Sequence, residues 1–131
     1  MTSMTDTVSI SARRGESIES FVAALRDAFE LAPTEIGGVC IRTVGERWIS
    51  LNPNPYAEIE EPESVAAANR LLGGPTTSFT LTTTNMHLLR QVLLRLADRD
   101  DLVLDTQHGM IVRLHEFAAL IRARPTWDWR Q

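Results

Sequence analysis

Thr77-Ser78-Phe79-Thr80-Leu81-Thr82-Thr83, followed by Asn85-Met86-His87-Leu88-Leu89, decides the fold class. Phe79 and Leu81 alternate with Ser78, Thr80 and Thr82, the period of two that lays one face of a strand on a core and leaves the other wet. Asn85 then supplies a helix N-cap, and Met86, Leu89, Val92, Leu93 and Leu96 recur three or four apart as one apolar helix face. A half-wet strand feeding an amphipathic helix predicts an α+β fold, with helices packed on a mostly antiparallel sheet.

The same two periods extend outward from this stretch. On the N-terminal side, Val8, Ile10 and Ala12 alternate with Thr7, Ser9 and Ser11 as a strand. Ile18, Phe21, Val22, Leu25 and Phe29 form the apolar side of a helix expected over Ser17–Leu31 and ended by Pro33. Val39–Val44 and Arg47–Leu51 flank Gly45-Glu46, which predicts a hairpin with a type II′ turn. Asn52-Pro53-Asn54-Pro55-Tyr56 reads as a loop, because each proline lacks an N–H and restrains the residue before it. A helix is expected over Pro62–Leu72, proline at its start and Gly73-Gly74 at its end. On the C-terminal side, Leu102–Leu104 and Met110–Val112 form a second hairpin, and Phe117, Leu120 and Ile121 mark a last helix stopped by Pro125. The order suggests duplicated β-α-β-β units. Residues 1–6 are expected to be a flexible tail and residues 7–131 a single domain.

The 131 residues form a chain long enough to bury a core without staples. One cysteine, Cys40, excludes an internal disulfide and a Cys-based zinc module, and its place between Val39 and Ile41 predicts a buried small hydrophobe. All 13 basic residues are Arg, so lysine Schiff-base chemistry and a P-loop are excluded. No apolar run approaches the roughly twenty residues of a membrane span, and the N-terminus lacks the basic start and apolar core of a signal peptide. These features predict a cytoplasmic protein. Residues 1–52 carry 5 basic and 7 acidic groups, 53–101 carry 4 and 7, and 102–131 carry 4 and 3. Acidity is therefore concentrated in the middle of the chain, opposite to the footprint of a nucleic-acid binder.

His87, His108 and His115 match no metal-ligand spacing, and no cofactor motif is present. His108, His115 and Asp105 form the only catalytic constellation the spacing offers, which makes an enzyme the third reading. Trp48, Tyr56 and Phe79 lining a cleft between repeats would make a small-ligand or regulatory module, the second reading. The clustered carboxylates Glu58, Glu60, Glu61 and Glu63 lack the alternating ligands and glycine of a calcium loop. Beside Tyr56 they suit an acidic binding face for a basic partner. Trp127 and Trp129 form a second candidate patch if exposed, and part of the core if the tail folds back.

Leu102-Val103-Leu104-Asp105-Thr106-Gln107-His108-Gly109, with Leu114-His115-Glu116-Phe117 and Pro125-Thr126-Trp127-Asp128-Trp129, resembles the ending of small immunity proteins of bacterial polymorphic toxin systems, the Sit-type families among them. The likeness covers about a fifth of the chain and implies a cytoplasmic, non-enzymatic protein that neutralises a cognate toxin by binding it. Such families vary at the binding surface, so the resemblance assigns no residue a role. The first reading is thus a toxin-neutralising binding protein, with contacts at Tyr56, Glu58, Glu60, Glu61, Glu63, Trp127 and Trp129.

Overall fold

The computed structural model describes residues 6–42 and 48–130. The elements in chain order are β1 (Asp6–Arg13), α1 (Ile18–Leu25), β2 (Glu30–Pro33), β3 (Val39–Arg42), β4 (Trp48–Pro53), α2 (Ala57–Glu60), α3 (Pro62–Leu72), β5 (Thr76–Thr83), α4 (Met86–Leu96), β6 (Val103–Asp105), β7 (Ile111–Arg113) and α5 (Leu114–Ala123). The strands make one sheet in the order β2-β3-β4-β5-β1-β6-β7, and each adjacent pair is antiparallel. This is an α+β fold.

Register shows how the alternation is used. Val8 faces Leu81, Ile10 faces Phe79 and Leu51 faces Leu81, so the inner surface is continuous across β1, β5 and β4. Phe21 and Leu25 of α1, five residues of α4 from Leu88 to Leu96, and Leu114, Phe117 and Ile121 of α5 close over it. Phe21 and Phe79 meet edge to face with ring centroids 4.7 Å apart, both rings buried. The opposite parity, Thr7, Ser9 and Ser11 of β1 with Thr82, Thr80 and Ser78 of β5, forms a hydroxyl-rich outer face.

Helix α3 covers only one end of that outer face. Ala68 and Leu72 bury a small apolar patch with Val103, and Leu71 and Ile111 pack beside it. Two arginines from the sheet hold the C-terminal end of the helix: Arg13 Nη1 donates to the Leu72 carbonyl at 2.7 Å and Arg113 Nη2 to the Leu71 carbonyl at 2.6 Å. Cations belong at this negative end of a helix, whose last carbonyls have no partner within it. Gly73 ends α3 at φ 75°, the left-handed conformation glycine adopts freely.

Four expectations are corrected. The helix expected over Ser17–Leu31 ends at Leu25, and Glu30–Pro33 is an edge strand, β2. Phe29 and Leu31 still pack on the core, from a turn and a strand instead of a longer helix. The Asn52–Tyr56 loop starts later, since Asn52 and Pro53 pair with Thr80 and Phe79. Pairing of β4 with β3 has ended at Leu51, so the missing N–H of Pro53 breaks no ladder bond. Asp6 is not tail but the first residue of β1. Finally, the two units are not equivalent: the first walks inward from the edge, β2 to β4, while the second walks outward from β6 beside β1 to the edge strand β7. The Gly45-Glu46 turn and tail residues 1–5 lie outside the described residues.

Candidate functional site

The half of the outer sheet face that α3 leaves open carries two adjoining recesses. One, of about 530 Å³, is lined by Asp6, Thr7, Ser9, Asn54, Glu60, Glu61, Thr80, Gln107 and His108. The other, of about 740 Å³, is lined by Ile36, Asn52, Pro53, Asn54, Pro55, Tyr56, Glu60, Thr77 and Thr80. They share Asn54, Glu60 and Thr80, so together they make one continuous surface with an acidic, hydroxylated end and an apolar end.

Local hydrogen bonds fix the walls. Thr34 Oγ1 donates to Asn52 Oδ1 at 2.6 Å and accepts the Gly38 N–H at 2.9 Å, pinning the β2–β3 turn that presents Ile36 to strand β4. A side chain at Gly38 would run into Asn52 and the Leu51 carbonyl, so this close approach requires glycine. The Asn54 N–H donates to the Ser78 carbonyl at 2.9 Å, and Asn54 Oδ1 accepts the Tyr56 N–H at 3.2 Å, which sets the entry to α2. At the other end, Gln107 takes a left-handed φ of 65°. It is held there by Asp105 Oδ1, which accepts its N–H at 2.8 Å, and its own Nε2 donates to Ser9 Oγ at 2.9 Å.

His108 is drawn to Asp6, with Nε2 at 3.3 Å from Oδ1, and that oxygen also accepts the Thr7 N–H at 3.0 Å. The Asp6 side chain is 10% exposed; its Oδ2 is buried, accepts no hydrogen bond, and has Arg130 Nε as a cation 4.0 Å away. His108, His115 and Asp105 do not assemble: His108 turns to Asp6, Asp105 fixes the Gln107 backbone, and His115 is exposed at the start of α5. Among the described residues no three His, Cys, Asp or Glu side chains gather as a metal site. Cys40 is half-buried on the outer face, between Ser50 and Ala32 across the ladders, because period two sends Val39 and Ile41 inward and Cys40 out.

The sequence-based contact residues separate. Tyr56 is 62% exposed and Glu60 and Glu61 line the recesses, while Glu58 turns to Arg14 at 3.1 Å and Glu63 is exposed in the first turn of α3. Trp129 is buried against Phe117, centroids 5.2 Å apart, and Trp127 is half-buried beside the same ring at 5.8 Å. The tail thus folds back, which removes Trp129 from the accessible surface and puts the pair on the helical side of the sheet. Within the tail, both Asp128 oxygens accept from the Arg130 guanidinium, at 2.8 and 2.6 Å, and this pairing with the Arg130 N–H bond lowers the Asp128 pKa from 3.8 to about 2.

The aromatic cleft is also corrected. Phe79 is an inner-face residue, whereas Trp48 and Tyr56 are exposed, so the three line no common cavity. Sequence reasoning missed Ile36 and Ile59, which are 69% and 81% exposed. Their signal was an apolar residue inside a polar or acidic stretch, Thr34-Glu35-Ile36-Gly37 and Glu58-Ile59-Glu60. Comparison of the chain with protein families, characterised proteins and solved structures finds no match.

Proposed function

We propose that this protein is a cytoplasmic, non-enzymatic binding module that neutralises a cognate bacterial toxin, and that the open outer face of its sheet is where it binds. One observation carries the reading: Ile36 and Tyr56, both large, apolar and exposed, line a recess that also holds Glu60 and adjoins a second one lined by Glu60 and Glu61. Exposed apolar surface rimmed by polar groups is typical of interaction sites, and a single sign of charge on the rim favours a partner of the opposite sign and speeds its approach. The C-terminal resemblance to immunity proteins supplies the kind of partner.

The reading predicts a toxin gene beside this one, and co-expression with its product tests it. Cells should survive, and the purified proteins should form a complex. Changing Glu58, Glu60, Glu61 and Glu63 to Gln should slow association about tenfold or more at low salt, with less effect at high salt. Cells that die despite stable co-expression would overturn the proposal.

A further inference from the structure

The two adjoining recesses differ in what they can hold. The first presents the carboxylates of Glu60 and Glu61 and the hydroxyls of Thr7, Ser9 and Thr80. Among the described residues neither glutamate has a salt-bridge partner, whereas Glu58 is already paired with Arg14. Asp6, which also lines this recess, is 10% exposed and adds a further negative charge, although its Oδ1 lies beside the Thr7 N–H and His108 and its buried Oδ2 faces Arg130 at 4.0 Å. Acceptors outnumber donors, an arrangement suited to a guanidinium, which carries five N–H donors and no acceptor. The second recess offers Ile36, Pro53, Pro55 and the Tyr56 ring, suited to an aliphatic or aromatic side chain.

From this juxtaposition we infer that the surface receives one extended segment of the partner protein, carrying an arginine and, two residues away, an apolar side chain. The inference rests on the partner-binding reading and names the chemistry that the site would select. In an extended strand residues i and i+2 point to the same side, about 6.5–7 Å apart. Recesses sharing Asn54, Glu60 and Thr80 adjoin closely enough for such a pair. The walls are held before binding by the Thr34–Asn52, Gly38–Thr34 and Asn54–Tyr56 bonds, so little ordering cost falls on this side of the complex.

The probe is N-acetyl-Leu-Gly-Arg-amide, titrated into the isotope-labelled full chain and followed by amide NMR. Saturable shifts should centre on residues 54–61, Thr77, Thr80, Gln107 and His108, with a dissociation constant on the order of 1 mM. The citrulline analogue, neutral at the same shape, and a Glu60→Gln/Glu61→Gln variant should each weaken binding about fivefold or more. Both substitutions lie on exposed or half-exposed side chains, and an unchanged spectrum of the free variant confirms its fold. Equal binding of the citrulline peptide, shifts centred on another surface, or no saturation by about 20 mM, some twenty times the expected constant, would overturn the inference. A toxin complex that is indifferent to Thr80→Arg would also overturn it and leave the binding function standing. Peptide binding in the recesses without toxin protection would uphold the inference and overturn the function.

Discussion

Arg99 shows how a single side chain in this fold can join distant pieces of chain. Its guanidinium forks onto Asp101 with two 2.9 Å bonds, reaches Glu16 at 2.6 Å and Ser20 at 3.2 Å, and lies over the Phe21 ring at 5.4 Å. The planar fork is what lets one cation serve both carboxylates, and the bond from Arg99 holds Asp101 below its ordinary pKa. Asp128 and Arg130 form a smaller version in the tail. Since the folded pKa of Asp128 is lowered from 3.8 to about 2, its contribution is present above the ordinary value and is lost as pH falls towards about 2. Carboxyl NMR should therefore find its midpoint near 2, and Arg130→Gln should raise the midpoint towards 3.8. A wild-type midpoint at the ordinary value would mean the pair is not formed in solution.

At the level of elements, the sequence is most legible where caps and periods agree. Helices α3 and α4 fall where Pro62, Gly73 and Asn85 put them, and Asn85 Oδ1 accepts the Leu88 N–H at 2.9 Å. Strand β2 was hidden because Phe29 and Leu31 extend the helical spacing of Ile18–Leu25. Four residues beside a longer pattern carry too little alternation to compete with it. Pro53 misled for a different reason: proline is barred from a ladder only where its N–H is needed, and that depends on where β3 stops. Of the proposed binding surface, Glu60, Glu61 and Tyr56 are visible in sequence, but the turn presenting Ile36 is not, since Thr34, Gly38 and Asn52 meet only across strands. Helix α3 also depends on non-local contacts. Replacing Arg13 and Arg113 by Ala should free the Leu71 and Leu72 carbonyls and cost about 1–3 kcal/mol at each site. Amide exchange in α3 should rise well above that in α4, and equal rates in the two helices would show that the apolar patch alone holds α3.

Over the whole molecule, the antiparallel sheet divides the labour between its faces. One face is sealed by α1, α4, α5 and the returning tail, with Phe21, Phe79 and Phe117 among the largest wholly buried side chains. The other is half covered by α3 and otherwise lined with hydroxyls, amides and the acidic shoulder of α2. Two of the chain's carboxylates, Glu60 and Glu61, thereby lie next to exposed apolar side chains. Binding through the open face is the central claim. Amide exchange measured on the complex with the toxin that the proposal expects a neighbouring gene to encode tests it most directly. Protection should concentrate in residues 34–38, 52–61, 77–82 and 107–108, with α4 and α5 unchanged; protection on α4, α5 or the Trp127–Trp129 tail, with the open face exchanging as in the free protein, would contradict the account.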